Sequence, residues 1–245
     1  MNVLIPMAGR GTRFANEGYE TPKPLIKIKG KTIIEYALDS VPVENANFIF
    51  IVRAQHYKDY DLENFLNKLK PGCKIVQTDI VTEGQACSAL LAKEHINNNK
   101  ELMIVNSDNY FVWKCQACVD DFRKNNLDGV IPTFYDDSGS TAWSYAKTNS
   151  DGFVVETAEK KPISSNAIAG IFIWKEGSDF VKFSEQMIEK NIRINNEFYI
   201  APAYNEGILE GSKFAIHQIE EMFALGNPQE AKIFEDYLEG RPSED

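Results

Sequence analysis

The first half of the chain alternates short apolar runs with stretches of helical spacing, and this alternation constrains the fold more than any other feature. Predicted strands cover residues 3–6, 48–52, 74–77 and 101–105, and predicted helices cover 32–38, 56–69 and 84–96. Strands that alternate with helices in this way form a parallel sheet with helices on both faces. Such sheets bind ligands at the carboxyl ends of their strands, so the loops after Ile5 and Val105 are the first candidates for a site.

The second half differs because polar turns, rather than helices, separate its first four strands. Strands are predicted at 129–134, 143–148, 153–157, 167–174 and 214–219, and helices at 176–190, 197–209 and 228–238. No internal repeat or low-complexity linker divides the chain, so we expect one domain over 1–240 and a frayed tail at 241–245. The two halves together predict an α/β fold with a mixed, mostly parallel sheet flanked by helices, and a smaller lobe.

Composition narrows the classes of partner. The formal net charge of −10 argues against a nucleic-acid polymer, which requires a basic surface, but not against a single nucleotide. The longest strongly apolar run, residues 48–52, is far shorter than the about 20 residues of a membrane helix. Residues 1–6 also lack the basic start of a signal peptide. We therefore expect a cytoplasmic protein without a membrane partner, and the sequence leaves its oligomeric state open.

Two of the four cysteines have a spacing that redox and zinc sites share. Cys115 and Cys118 form a CxxC pair, but zinc would need two further ligands and the three histidines are scattered. We interpret both cysteines as small buried side chains.

Residues 7–14 (MAGRGTRF) follow the first predicted strand and carry the strongest functional signal. Gly9 and Gly11 allow a tight turn that brings backbone N–H groups close to an anion. Arg10 and Arg13 add positive charge and Thr12 adds a hydroxyl. With Met7 and Ala8, this loop suits the oxygens of a triphosphate.

Other interpretations of the loop fit less well. A dinucleotide-binding loop would place glycine at position 14, where Phe14 stands, and a Walker loop would require Gly-Lys-Ser/Thr. A plain turn would explain the glycines but not the two arginines. Downstream, Pro22 and Pro24 hold Lys23 in a stiff segment, a bracing that a solvated lysine would not need.

The order of these segments resembles the opening of the nucleotidyltransferases of the sugar-nucleotide pyrophosphorylase and cytidylyltransferase type. The resemblance rests on residues 8–14 (AGRGTRF), 22–25 (PKPL) and 30–31 (GK), followed by a helix. It implies a Rossmann-like domain whose nucleotide-binding half is 1–128 and whose acceptor-binding half is 129–240. It also implies that Met7, Ala8, Gly9, Arg10, Gly11 and Thr12 hold the triphosphate. Arg13 and Lys23 would be catalytic and stabilise charge on the reacting phosphates.

A carboxylate at the same sheet edge is the candidate metal ligand. Asp108 follows the predicted strand that ends at Val105, and Mg²⁺ prefers oxygen ligands and bridges phosphates. In the resembled family this position binds the metal. The alternative is a helix N-cap for residues 113–125. The resemblance also assigns nucleotide binding to Asn106 and to Gly84, Gln85 and Ser88 at the start of a predicted helix.

The acceptor side is predicted from three further segments: 143–145 (WSY), 159–162 (EKKP) followed by Gly170, and 195–199 (NNEFY). The candidate acceptor-binding residues are Trp143, Tyr145, Glu159, Lys161, Gly170, Asn196 and Glu197. For Trp143 and Tyr145 core packing is the alternative. One position departs from the family: Ala224 stands where a second metal-binding aspartate is expected. Either Asn227, Glu221 or water replaces it, or Asp108 alone anchors the metal.

The function that the resemblance implies is Mg²⁺-dependent transfer of NMP from an NTP to a small phosphorylated acceptor, with release of pyrophosphate. With a single residue between Gly9 and Gly11, the loop resembles that of the phosphocholine and methylerythritol-phosphate cytidylyltransferases, and this resemblance implies CTP. The whole-chain pattern is most similar to capsule-associated cytidylyltransferases, with phosphoglutamine as the candidate acceptor. Two alternatives stay open, a hexose-1-phosphate nucleotidyltransferase using UTP or dTTP and a catalytically inactive nucleotide-binding module.

Overall fold

The computed structural model describes residues 1–240, and the predicted frayed tail lies outside the described residues. The strands are β1 (Asn2–Pro6), β2 (Lys27–Ile28), β3 (Lys31–Thr32), β4 (Asn47–Arg53), β5 (Lys74–Thr78), β6 (Leu102–Val105), β7 (Asn109–Val112), β8 (Gly129–Tyr135), β9 (Ser144–Thr148), β10 (Val154–Glu159), β11 (Asn166–Ile168), β12 (Ile171–Trp174), β13 (Phe214–Gln218) and β14 (Glu221–Ala224). The helices are α1 (Thr12–Ala15), α2 (Ile33–Asp39), α3 (Ala54–Asp59), α4 (Leu62–Leu69), α5 (Gln85–Leu90), α6 (Lys93–Ile96), α7 (Cys115–Lys124), α8 (Gly177–Glu189), α9 (Ala203–Leu209) and α10 (Pro228–Gly240), with a 3₁₀ turn at Lys23–Leu25.

The apolar strands of the first half form a parallel sheet in the order β5–β4–β1–β6, as predicted. Ile5 of β1 lies opposite Phe50 of β4 in the register. The two faces of the sheet belong to different core clusters, because side chains alternate along a strand: Ile5 packs in one cluster and Leu4 in the other. Because β1 and β6 pair in parallel, their carboxyl ends lie side by side.

The second half extends the same sheet with antiparallel strands. β12 pairs with β6 and with β8, and the order continues through β11 and β9 to β10, while β13 pairs parallel to β8. The strand predicted at 167–174 is two strands, because the chain breaks at Gly170, whose φ of +89° belongs to the left-handed region. The prediction of a mixed α/β fold, with a large sheet flanked by helices, is confirmed.

Three predicted helices are shorter or divided. The helix predicted at 56–69 is α3 and α4, because Asp61 adopts a φ of 46° between them. The helix predicted at 84–96 is α5 and α6, separated at Leu91 and Ala92. The helix predicted at 197–209 begins only at Ala203, directly after Pro202, since proline is favoured at the first turn of a helix.

Two strands that the sequence did not predict form a small separate sheet. β7 pairs antiparallel with β14, so Ala224 lies opposite Asn109. Beside them, Phe234 of α10 is fully buried in a third core cluster with Phe14 and Tyr36. The C-terminal helix is thereby held against the segment that follows the glycine loop.

Cys115 and Cys118 are buried in α7, as interpreted from the sequence. Burial raises the pKa of each thiol to about 12. Separately, no helix within residues 1–240 is both long enough and apolar enough to span a membrane.

Candidate active site

Two adjoining pockets open at the carboxyl ends of β1 and β6. The first, which we call the loop pocket, has a volume of about 300 Å³ and is lined by residues 6–10 of the glycine loop. The second, which we call the sheet pocket, has a volume of about 400 Å³ and lies against β11 and β12. Gln85, Asn106 and Asp108 line both pockets, so the two form one continuous cleft. This is the sheet edge that the sequence indicated.

The glycine loop shapes the loop pocket through two glycines with different environments. Gly11 has a φ of +61°, and a Cβ added to it would lie 3.2 Å from Lys23 Cβ. Gly9 would meet no atom within 4 Å, so its open side leaves room for a ligand. The loop pocket is lined by Met7, Ala8, Gly9 and Arg10. Gly11 and Thr12 do not line it and lie at the start of α1.

The three groups predicted to act on the phosphates converge. Lys23 Nζ lies 2.5 Å from Asp108 Oδ2, and both side chains are largely shielded from solvent. A Cβ added to Gly226 would lie 3.5 Å from Asp108 Oδ2 and 3.6 Å from Arg13 Nη1. One basic side chain from the glycine loop segment, one from the proline-flanked turn and one carboxylate from the end of β6 thus share a single region.

A second carboxylate, which the sequence analysis missed, stands close to Asp108. The same Cβ position on Gly226 lies 3.1 Å from Glu230 Oε2, and Glu230 lines the sheet pocket with Ala224. Glu230 also accepts a 2.8 Å hydrogen bond from the backbone N–H of Gly226. No local sequence signal marked it, since a glutamate in the first turn of a helix is common for electrostatic reasons alone.

The two residues that the sequence offered in place of the second aspartate are less well placed. The Asn227 side chain accepts a hydrogen bond of 2.9 Å from the Glu230 backbone N–H and so caps α10. Glu221 is exposed and lies at the far end of β14, opposite Val112. Among residues 1–240, no group of three or more His, Cys, Asp and Glu side chains is arranged to hold a metal.

The start of α5 lines the loop pocket, but Gly84 is needed there for a different reason from the expected one. A Cβ on Gly84 would lie 2.4 Å from the carbonyl oxygen of Phe198, so protein backbone occupies the space that was assigned to a base. Gln85 Nε2 lies 3.4 Å from Asn106 Oδ1, and Ser88 Oγ lies 2.5 Å from Thr82 Oγ1. Gln85, Ser88 and Asn106 keep their polar side chains at the pocket wall.

On the acceptor side, the structure brings together some of the predicted residues and adds two. Trp143, Glu159 and Gly170 line the sheet pocket. Lys160 and Tyr199 line it as well, and Lys160 Nζ donates a 2.6 Å hydrogen bond to the Tyr199 hydroxyl. Neither was among the predicted site residues.

Four predicted acceptor residues lie elsewhere. Tyr145 is fully buried, and its hydroxyl bonds Asp136 at 2.5 Å, so it belongs to the core and not to the pocket wall. Lys161 is exposed and lies outside both pockets. Lys160 has a φ of 55° and turns the chain there, so that Lys160 and not Lys161 faces the sheet pocket. Asn196 is an exposed turn residue with a φ of 65°. Glu197 lines the loop pocket.

The family model for nucleotidyl transferases matches residues 2–232, which include both pockets. The chain belongs to the nucleotidyl transferase family. Membership confirms the coarse prediction that the glycine loop and the proline-flanked lysine suggested.

Individual relatives of this nucleotidyl transferase have different activities. The bifunctional protein GlmU of Methanococcus aeolicus is 29% identical over 177 residues, which are 70% of this chain and 39% of that protein. The choline-phosphate cytidylyltransferase of Streptococcus pneumoniae is 30% identical over 111 residues, 45% of each chain. The matched segments of the chain span less than half the length of these curated relatives.

Solved structures match the whole nucleotidyl transferase fold. A nucleoside-diphosphate-sugar pyrophosphorylase from Vibrio cholerae has a TM-score of 0.81 and 27% identity, and the match covers 96% of this chain and 99% of that one. The inositol-1-phosphate CTP transferase of T. maritima has a TM-score of 0.73 over 99% of this chain and 98% of that one, at 14% identity, a level that shows the fold alone.

Proposed function

We propose that this nucleotidyl transferase is a cytoplasmic enzyme that transfers CMP from CTP to a small phosphorylated acceptor and releases pyrophosphate. The observation that carries the proposal is the convergence of Lys23, Asp108 and Arg13 where the two pockets join. The loop pocket would receive the nucleotide and the sheet pocket the acceptor. We assign the nucleotide to residues 1–128 and the acceptor to 129–240 within one domain.

The chemical difficulty is repulsion between two anions. An acceptor phosphate oxygen attacks the α-phosphorus of CTP, a new P–O bond forms, and the bond to the β-phosphate oxygen breaks as pyrophosphate leaves with its electron pair. Arg13 and Lys23 stabilise the negative charge that builds on the α-phosphate and on the leaving group. Such catalysis depends on positioning and charge stabilisation and needs no covalent intermediate with the protein.

Asp108 is the residue that would hold Mg²⁺, with Glu230 beside it. The donor set fits this ion, because Mg²⁺ in nucleotide sites is bound by one or two carboxylates, with phosphate oxygens and water completing its shell. When bound, Mg²⁺ supplies neutralisation of the phosphate charges. Ala224 has no side chain that could bind a metal, and Glu230 Oε2 lies 3.1 Å from the same Cβ position on Gly226 that is 3.5 Å from Asp108 Oδ2.

Cytidine is supported by the loop pattern and by the similarity to the pneumococcal choline-phosphate cytidylyltransferase. The acceptor-side segments support a role in capsular polysaccharide biosynthesis, with phosphoglutamine as the candidate acceptor. The alternative that a specific observation favours is a hexose-1-phosphate nucleotidyltransferase, because the Vibrio cholerae pyrophosphorylase matches nearly the whole chain. A catalytically inactive module has the missing carboxylate at Ala224 as its main support.

A matrix of nucleotides and acceptors tests the proposal. Each of the four NTPs is combined with Mg²⁺ and with phosphocholine, phosphoglutamine or a hexose 1-phosphate, and pyrophosphate release is measured. We expect release with CTP and a phosphorylated acceptor other than a neutral hexose 1-phosphate. Release only with UTP or dTTP and a hexose 1-phosphate would instead establish the alternative. No release with any pair would establish the inactive module.

A further inference from the structure

One wall of the sheet pocket combines a carboxylate, a lysine and two aromatic rings. It consists of Trp143, Ser144, Glu159, Lys160 and Tyr199, and we call it the β9–β10 wall. Ser144 of β9 lies opposite Glu159 of β10, and the Lys160 N–H donates to the Trp143 carbonyl at 3.0 Å. The hairpin pairing therefore places Ser144 beside Glu159, and all five residues line the sheet pocket.

Glu159 is the acidic group in this wall. Its carboxylate accepts a hydrogen bond from the Ser144 hydroxyl, but within residues 1–240 it forms no ion pair. Burial raises the pKa of Glu159, which reflects the cost of holding its charge away from water. A half-buried carboxylate with one neutral hydrogen bond is stabilised when a cation binds it.

The charge of the neighbouring Lys160 acts to lower the pKa of Glu159, but the lysine forms no ion pair with that carboxylate. Lys160 Nζ bonds the Tyr199 hydroxyl at 2.6 Å and lies 4.8 Å from the centre of the Tyr199 ring. Tyr199 in turn donates a 2.5 Å hydrogen bond to Glu197. Lys160 thus hydrogen-bonds Tyr199 and not Glu159, and the Glu159 carboxylate stays available to a ligand.

Trp143 gives the wall an aromatic surface next to this carboxylate. Its ring meets Phe134 edge to face, with centroids 5.5 Å apart, which holds the indole in place at the pocket. Aromatic faces attract ammonium groups, and the attraction is strongest for tryptophan. A carboxylate and an indole on one wall are complementary to an organic cation.

We propose that the acceptor carries an ammonium group that binds Glu159 and Trp143 while its phosphate points toward Arg13. This inference rests on the proposed function and narrows its substrate class to phosphorylated amino alcohols, amino acids or amino sugars. The competing assignment is a neutral acceptor whose hydroxyls donate to Glu159.

Pairs of acceptors that differ only at the ammonium test the proposal. Phosphoethanolamine is compared with 2-hydroxyethyl phosphate, and glucosamine 1-phosphate with glucose 1-phosphate, each with CTP and UTP, by kcat/KM for pyrophosphate release. A charge-assisted hydrogen bond predicts a preference of about 10- to 100-fold for the ammonium member of a pair that reacts. Equal rates within each reacting pair, or faster reaction of the neutral member, would overturn the inference.

Glu159→Gln distinguishes the two assignments, because glutamine keeps an oxygen acceptor and loses the charge. We expect it to bring the members of a pair within about threefold of each other, mainly through a higher KM for the ammonium acceptor. Glu156→Gln, an exposed position on the same strand, is the control and should keep the wild-type ratio. A ratio unchanged in Glu159→Gln would remove Glu159 from acceptor recognition. Failure of every pair and every NTP to release pyrophosphate would overturn the proposed function, and the inference would fall with it.

Discussion

The ammonium of Lys23 donates to the carboxylate of Asp108 over 2.5 Å. The two residues come from the 3₁₀ turn and from the end of β6, 85 positions apart in the chain. In the free protein, the group proposed for the phosphates and the group proposed for the metal therefore neutralise each other. A charged ligand entering the cleft must compete with this pair, which favours ligands that bring both a cation and phosphate oxygens.

Lys23→Ala tests whether the Lys23 ammonium stabilises the reacting phosphates. We expect turnover to fall by about 10²–10³, by analogy with the loss of one oxyanion donor, because charge building on the phosphates loses a partner. Lys31→Ala is the matched control, since Lys31 forms an exposed 2.8 Å pair with Asp39 outside both pockets. Pyrophosphate release is measured on variants with wild-type unfolding transitions. Unchanged turnover in Lys23→Ala would remove Lys23 from the mechanism.

Asp108→Asn separates ion binding from folding. The Lys23 and Asp108 side chains keep 20% and 25% of their surface exposed, and an ion pair that reaches solvent contributes only about 1 kcal/mol, so the free energy of unfolding should change little. Mg²⁺ affinity in the presence of a non-hydrolysable CTP analogue should fall steeply, as measured by isothermal titration calorimetry. Asp39→Asn removes an exposed carboxylate and should leave that affinity intact. Wild-type Mg²⁺ affinity in Asp108→Asn would show that other groups hold the ion.

Alanine substitution at two glycines should affect different properties, stability at Gly84 and nucleotide binding at Gly9. Gly84 has a φ of +134° and abuts the Phe198 backbone, so Gly84→Ala should lower the free energy of unfolding by about 1–3 kcal/mol. Gly9 faces open space, so Gly9→Ala should fold normally and weaken nucleotide binding by placing a methyl group in the loop pocket. Urea unfolding and CTP titration measure the two effects. Equal loss of stability would contradict the assignment of the open side of Gly9 to a ligand.

Alkylation should discriminate among the cysteines. With a pKa of about 12, Cys115 and Cys118 are thiolates in only about one molecule in 10⁴ at pH 8, and both are buried. Cys73 and Cys87 are partly exposed and should react with iodoacetamide first, as peptide mass spectrometry would show. Labelling of all four at one rate in the folded protein would be inconsistent with this core.

The same pKa values predict how stability depends on pH. The folded pKa of about 12 lies above the ordinary thiol value of 9.0. The contribution of these thiols is therefore fully present below pH 9 and is lost as pH rises from 9 to 12, because only the unfolded chain ionises there. Cys115→Ala should flatten this part of the pH profile in urea unfolding experiments.

The sequence predicted the part of the site that local chemistry encodes. Residues 7–10 and Lys23 carry their signal in glycines, arginines and flanking prolines within a short stretch, and the structure places them at the cleft. Asp108 was predicted because it follows a buried strand. Each of these inferences needed only a few neighbouring residues.

The parts that were missed depend on distant contacts or on single backbone angles. β7 and β14 pair residues more than a hundred positions apart, and neither is apolar enough to signal a strand alone. Glu230 reaches the site only because that pairing carries α10 there. Lys160 and Lys161 are adjacent and chemically identical, and the positive φ of Lys160 decides which one faces the pocket.

The third core cluster contains Phe14 and Tyr36 together with Leu225 and Phe234. It therefore packs the first two helices of the chain against the last one. During synthesis, the segment bearing Arg13 emerges from the ribosome some two hundred residues before the side chains that pack against it. This packing around Phe14 can therefore be complete only after α10 has been synthesised. An incomplete chain would expose Phe14 and its neighbours to chaperones instead of presenting a functional cleft.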